Sequence, residues 1–373
     1  MAAIEFPNQP SRDAIYRAYE EGFRFIGSAD DGHRPHLGAS LLGHECDRYL
    51  WYTFRWAESE RFDGRMLRLF ETGHLAEPRL AAALRAAGVE LHTTDPGGNQ
   101  WRISFSAGHC GGSMDGAGLG FPEGPKTWAI WECKTSGTKA FEKVKADGVK
   151  AGKPQHHSQM QVYMGETGMT RGLYTMVCKE TDEVYTEWVR FDDVEYARLK
   201  TRGERIVASP TPPAKLSEKA TWYQCKFCKF HEICHGEAAP EVNCRTCAHA
   251  TPEMHTEPNA DGTGRWTCAG AGPIRGACAP DGSIPVRSQR QGCGGHRYIP
   301  LVLANFAKPV DFIDGDVVYE LTSGGTIANG DKPGMLSSEE IRGCENKQFL
   351  KDLTDVKLMG FNSAKIVKEQ KHG

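Results

Sequence analysis

Thirteen cysteines in a chain of 373 residues constrain this sequence more than any other feature. No charged-then-apolar leader opens it, and no apolar run approaches the roughly 18 residues of a spanning helix. A soluble cytoplasmic protein with no membrane partner is therefore expected. In a reducing compartment, closely spaced cysteines point to metal or cluster ligation rather than to disulfides. Cys225-x-x-Cys228 followed by Cys234 forms a C-x2-C-x5-C pattern. Soft thiolates suit zinc and iron–sulfur clusters alike, and three ligands call for a fourth. A second set, Cys244-x-x-Cys247 with Cys268 and Cys293, reads as a structural Zn²⁺ module, with Cys278 and His296 as alternative ligands. Residues 237–300 around it are rich in Gly, Pro, Cys and Thr and poor in periodic apolar residues, so a metal is expected to organise them.

Outside the cysteines the texture is that of a mixed α/β protein. Helices are expected over residues 11–21, 40–54 and 63–87, then strands over 101–105, 112–119 and 127–134. Helices near 139–147 and 154–165, two more strands and a helix over 193–207 follow. Four units result: an N-terminal helical and loop segment (1–39), an α/β core (40–236), the Cys-rich module as a small appendage (237–300), and C-terminal strands with a basic tail (301–373).

Within the strand region, Asp115 is followed 17 residues later by Glu132-Cys133-Lys134. Glu132 and Lys134 are two apart on a strand, so their side chains share a face. Two carboxylates and the Cys133 carbonyl are hard oxygen ligands for Mg²⁺ or Mn²⁺. Such an ion can activate water and neutralise charge on a phosphodiester, with Lys134 orienting the nucleophile or stabilising the transition state. The plainer alternative is an exposed Asp turn and a surface Glu–Lys pair. The apolar Ala129-Ile130-Trp131 just before the pair, the Gln159/Tyr163 face and the His74/Glu77 face speak against it.

These motifs together resemble the PD-(D/E)xK nuclease superfamily in its RecB-like branch, from about residue 40 to 236. Matching motifs are Gly73-His74-x-x-Glu77, Asp115, Glu132-Cys133-Lys134 and the QxxxY pair Gln159 and Tyr163. The resemblance implies a restriction-endonuclease-like core, a mixed central sheet flanked by helices, and Mg²⁺- or Mn²⁺-dependent cleavage of DNA. It implies Asp115 and Glu132 as metal ligands completed by His74 or Glu77, Lys134 as catalyst, and Gln159 and Tyr163 beside the DNA strand. Cys46, ahead of the catalytic residues, is similar to the single N-terminal cysteine of the iron–sulfur nucleases of this branch, such as the CRISPR-associated exonucleases and AddB-type subunits. With Cys225, Cys228 and Cys234 it would hold a [4Fe–4S] cluster, with Zn²⁺ in the same site as the alternative. The sequence from Gly295 to Pro300 resembles tails of phage proteins, which would place the protein in a bacterial or phage-infected host cytoplasm.

Lys+Arg 45 against Asp+Glu 48 leaves a net charge of −3, so DNA contact must come from a local basic face. Lys139, Lys143, Lys145, Lys150 and Lys153, between the ExK strand and the QxxxY helix, are the candidates for sequence-independent phosphate contacts. Trp51, Tyr52 and Trp56 offer stacking surfaces, with core packing expected for most of them. The leading expectation is an exonuclease acting at free DNA ends in processing, recombination or degradation. The alternative is a non-catalytic nucleic-acid-binding or assembly protein that kept the fold. A homo-oligomer and a recombination or replication partner protein stay open.

Overall fold

The computed structural model describes residues 10–26, 33–270, 278–279, 281–313 and 315–358; the expected basic tail lies mostly outside them, and residues 1–9 of the N-terminal segment entirely so. Helix α1 (Pro10–Glu20) precedes a short strand β1 (Leu37–Gly38), helix α2 (Asp47–Phe54) and the long α3 (Gly64–Ala86). Strands β2 (Glu90–His92), β3 (Trp101–Phe105), β4 (Cys110–Met114), β5 (Gly116–Leu119) and β6 (Ala129–Ser136) follow. Helices α4 (Thr138–Gly152) and α5 (Pro154–Thr167), strands β7 (Arg171–Cys178) and β8 (Val184–Arg190), and helix α6 (Asp193–Ala208) complete the core. Local chemistry sets these boundaries. Asp63 caps α3 by accepting from the Met66 amide at 2.7 Å. Pro154 starts α5, and Gly168, at φ +72°, ends it in the left-handed region.

The central sheet has the order β2-β5-β6-β7-β8. Its pairs are antiparallel except β6–β7, which is parallel, so the sheet is mixed as expected. On one face Trp131 and Leu173 pack with Ala81 of α3. On the other, Ile130, Tyr174 and Met176 pack with Met160 and Tyr163 of α5. One expected strand, 112–119, divides into two. Met114 pairs with Trp101 in a small β1-β4-β3 sheet, whereas Gly116 pairs with Trp131 in the central sheet. Asp115 is the single residue at which the chain changes sheets. No helix among the described residues is long and apolar enough to cross a membrane.

Beyond α6 come two single turns, α7 (Tyr223–Lys226) and α8 (His231–Cys234), then the β9 (Ala250–Pro252) and β10 (Trp266–Cys268) ribbon and the turn α9 (Val286–Gln289). A second sheet, β11 (Ala307–Ile313), β12 (Asp316–Leu321) and β13 (Thr326–Asn329), is followed by α10 (Ser338–Gly343). This sheet has its own cluster around Tyr319, Leu321 and Leu336.

The Cys-rich stretch is tied to the α/β core more closely than its composition leads one to expect. One apolar cluster runs from Phe54 and Ile130 into Cys244, Cys247, Trp266, Ile284 and Val302. Arg245, 0 % exposed, clamps the junction. Its guanidinium donates to Phe54 O at 3.0 Å, Pro35 O at 2.8 Å and Gln289 Oε1 at 2.9 Å. It also lies 3.8 Å from the Trp56 ring centroid and 4.9 Å from that of Trp266. Arg55, just after α2, returns the contact by donating to Arg245 O at 3.2 Å. Trp51, Tyr52 and Trp56 serve this core packing, each 4 % exposed or less, and are not stacking surfaces for bases.

Arg245→Ala removes three hydrogen bonds from a buried cation and opens space among three rings. The expected loss is at least about 3 kcal/mol. Hydrogen exchange should report lost protection both in residues 244–268 and in α2. Loss confined to residues 237–300 would show the Cys-rich stretch to be an independent appendage.

Candidate active site

Asp115 is aimed at β6 by the change of sheets described above. Its Oδ2 accepts from the Cys133 amide at 2.8 Å, on the stretch of β6 past the last β5 pair, Gly116–Trp131. Glu132, the preceding residue, is 0 % exposed. Its Oε1 takes the Lys134 ammonium as ion-pair and hydrogen-bond partner, and among the described residues Oε2 has no hydrogen-bond partner. Burial pushes Glu132 up to about 8, with the Lys134 charge pulling the other way. Burial also raises Asp115, again opposed by Lys134. Burial would lower Lys134, but the charges of Glu132 and Asp115 outweigh it and hold the ammonium above its ordinary value.

Helix α3 crosses this region with Glu77 half-buried and His74 exposed. Burial, then the Asp115 charge, raises Glu77 to about 7. His74 also lies within the field of Asp115, but Glu77 is the more buried of the two. Three acids around one ammonium, each pushed towards its neutral form by burial, are hard oxygen donors that a divalent cation would hold ionised, which is the chemistry that fits Mg²⁺ or Mn²⁺. Among the described residues, no three His, Cys, Asp or Glu side chains already surround a single ion position.

The QxxxY pair has a different place from the one the resemblance implies. Gln159 and Tyr163 are 5 % and 2 % exposed, so they do not line an open path for DNA. The Tyr163 hydroxyl donates to Ser113 O at 2.8 Å, and Gln159 Nε2 donates to that hydroxyl at 3.0 Å. The pair pins β4 from behind, two residues before Asp115. Gly112 permits this approach, since a Cβ there would stand 2.6 Å from the Tyr163 hydroxyl.

Sequence reasoning overlooked His156 and Tyr174. Tyr174 lies opposite Glu132 in the β6–β7 register, and its hydroxyl is 2.8 Å from His156 Nδ1. Burial, reinforced by the Lys134 charge, drops His156 to about 3, so the imidazole is neutral. Burial and the Glu132 charge keep the Tyr174 hydroxyl protonated. The hydroxyl is thus assigned as donor to Nδ1, which leaves the second ring nitrogen, Nε2, as an N–H donor. A histidine three residues before Gln159 was visible in the sequence, but only the register ties it to Glu132.

The basic run is on α4 and at the start of α5. Lys143 pairs with Asp147 at 2.9 Å, Lys145 with Glu183 at 2.5 Å and Lys150 with Asp192 at 3.7 Å. Lys139 and Lys153 take part in no salt bridge among the described residues. Exposed pairs of this kind are weak and open to competition by phosphate.

Each cysteine set lines a cavity. Cys46 is the N-cap of α2, its sulfur accepting from the Tyr49 amide at 3.4 Å, rather than a mid-helix residue. It lines one cavity of about 360 Å³ together with Cys225, Cys228 and Cys234. Burial, then the charges of Cys46, Cys234 and Cys225, raises the Cys228 thiol. Cys244, Cys247, Cys268, Cys278 and Cys293 line a second cavity of about 20 Å³ with His249 and His296. Burial and the neighbouring thiols push Cys244 up to about 12. His296 has both ring nitrogens engaged, with Ser338 Oγ at 2.7 Å and Thr246 Oγ1 at 3.1 Å, so it is a poorer alternative ligand than Cys278.

No family model matches the chain, and no curated protein matches it. Among solved structures it is similar to LHK-Exo, an alkaline exonuclease from Laribacter hongkongensis, at 18% identity and a TM-score of 0.35, over 47% of this chain and 88% of that one. The complex of LHK-Exo with dAMP gives a TM-score of 0.34 at the same identity. The structure of SSO0001 is similar at 15% identity and a TM-score of 0.35, over 61% of this chain and 98% of that one. Likeness at this level carries no weight for function, which rests on the residues.

Tyr163→Phe should leave a folded protein whose Ser113 carbonyl has lost its anchor. Mn²⁺ affinity, followed by calorimetry, should fall about 10–100-fold, the scale for residues that orient metal ligands. Unchanged affinity would detach the QxxxY pair from the acidic site.

Proposed function

We propose that this protein is a divalent-metal-dependent DNA nuclease, acting as an exonuclease on free ends as the sequence resemblance implies. The observation that carries the reading is the fully buried Glu132 carboxylate, whose one charged partner is the Lys134 ammonium and which shares its surroundings with the further acid Asp115. Such a group is costly unless charge compensates it. Asp115, Glu132 and Glu77 would hold Mg²⁺ or Mn²⁺, with the Cys133 carbonyl as a further oxygen donor and His74 as the alternative to Glu77. The ion would supply Lewis-acid polarisation of the phosphodiester and activation of water.

The remaining roles fall to side chains of this protein. Lys134, whose ammonium the charges of Glu132 and Asp115 favour, would orient the nucleophile or stabilise the transition state. His156 Nε2–H provides a neutral donor on the same side of β6. Lys139 and Lys153 hold the phosphate backbone without reading bases. Cys46, Cys225, Cys228 and Cys234, which line one cavity, would hold a [4Fe–4S] cluster as the sequence resemblance implies, with Zn²⁺ in the same site as the alternative. The smaller site would take Zn²⁺ through Cys244, Cys247, Cys268 and either Cys293 or Cys278.

One assay tests this on anaerobically purified protein with end-labelled DNA. EDTA should abolish cleavage and Mg²⁺ or Mn²⁺ restore it, and Lys134→Ala should cut the rate at least about 10²-fold while DNA is still bound. Cys46→Ala should bleach the brown colour of the preparation and lower its stability, because the clip between α2 and residues 225–234 is opened. Full activity in EDTA would contradict the metal mechanism, and a brown Cys46→Ala protein would contradict the cluster assignment.

A further inference from the structure

Three aromatic side chains within six residues stand in water beside the larger thiol cavity. Trp222 is 46 % exposed, Tyr223 60 % and Phe227 81 %. The rings of Trp222 and Tyr223 lie 5.2 Å apart at 52°. The Lys226 ammonium sits 5.6 Å from the Phe227 centroid. The backbone beneath is fixed: Lys226 N donates to Trp222 O at 2.8 Å, and Gln224 Nε2 reaches Glu45 at 2.6 Å. Cys225 and Cys228 of the same turn line the cavity. Rings exposed on an ordered backbone forgo burial that each could gain by contact.

The charges around the rings indicate what covers them. Lys219 and Lys226 take part in no salt bridge among the described residues, whereas Lys229 pairs with Glu60 at 2.8 Å and Lys215 with Glu218 at 3.8 Å. Protein interfaces enrich aromatics but deplete lysine, while single-stranded nucleic acid needs both: flat faces for bases and cations for phosphates. The turn is too short to lie in a membrane surface as an amphipathic helix.

We propose that Trp222, Tyr223 and Phe227, with Lys219 and Lys226, form a stacking platform for single-stranded DNA. The choice of DNA rests on the nuclease reading above. The cysteine site then has a second role, since it holds the turn that presents the rings.

The test compares oligo(dT) with an abasic deoxyribose-phosphate strand of equal length, in EDTA so that nothing is cleaved. Wild-type protein should prefer oligo(dT). Trp222→Ala/Phe227→Ala should lose at least about tenfold in affinity for oligo(dT) and keep its affinity for the abasic strand. Phe227→Ala alone, at the most exposed ring, should show a smaller loss of the same kind and decides the matter if the double variant does not fold. Equal affinity of wild type for the two strands, or an equal loss on both, overturns the platform. So does unchanged oligo(dT) binding with an altered sedimentation coefficient, which would assign the rings to a protein contact. A base preference without cleavage in Mg²⁺ would refute the nuclease reading and leave the platform standing; cleavage without a base preference would do the reverse.

Discussion

A carboxylate taken fully out of water, with one ammonium as its charged partner and other acids beside it, is among the more expensive features a fold can contain, and Glu132 is one. Its neighbourhood is arranged around that cost. Lys134, two residues on, supplies one positive charge. Asp115 adds negative charge to the same point, held there by the Cys133 amide and, through Ser113, by the Tyr163 hydroxyl. Glu77 arrives from α3 and is itself pushed towards the neutral form. Nothing in apolar packing calls for three acids at one sheet edge, but a divalent cation does. The change of sheets at Asp115 and the parallel β6–β7 pairing are the parts of the topology that make this cluster possible.

Strand alternation made the acidic pair legible in the sequence, since Glu132 and Lys134 must share a face. The helices on either side were legible from period and caps. Helix α5 was harder, because His157, Ser158, Gln159 and Gln161 suggest a solvated side. The helix is covered all round instead, with Gln161 Nε2 donating to Arg190 O at 3.0 Å and its carbonyl accepting from Asp192 N at 2.8 Å. Polar groups satisfied by long-range partners leave no periodic trace. Arg245 illustrates the same point, since an arginine reads as surface until three carbonyl and amide acceptors and three rings assemble around it.

The two thiol cavities differ in a way that spacing alone could not reveal. Cys46 reaches the 225–234 triplet only through the docking of α2 against the chain that follows α6, where the four line one cavity of about 360 Å³ with Arg48, Tyr49 and Phe230 among its other walls. The second set lines another cavity, of about 20 Å³. Helix α2 connects them, because Cys46 caps its start and Arg55, just past its end, bonds to the backbone of Arg245 and Ala250. Disturbance at either cysteine set is therefore felt along one helix of the α/β core.

The central assignment is that the acidic cluster holds the catalytic metal. Anomalous diffraction from crystals soaked in Mn²⁺ tests it most directly. The assignment predicts a manganese peak bounded by Asp115 and Glu132 and touching Glu77 or His74. Crystals in which manganese binds elsewhere and leaves Glu132 paired with Lys134 alone would contradict it.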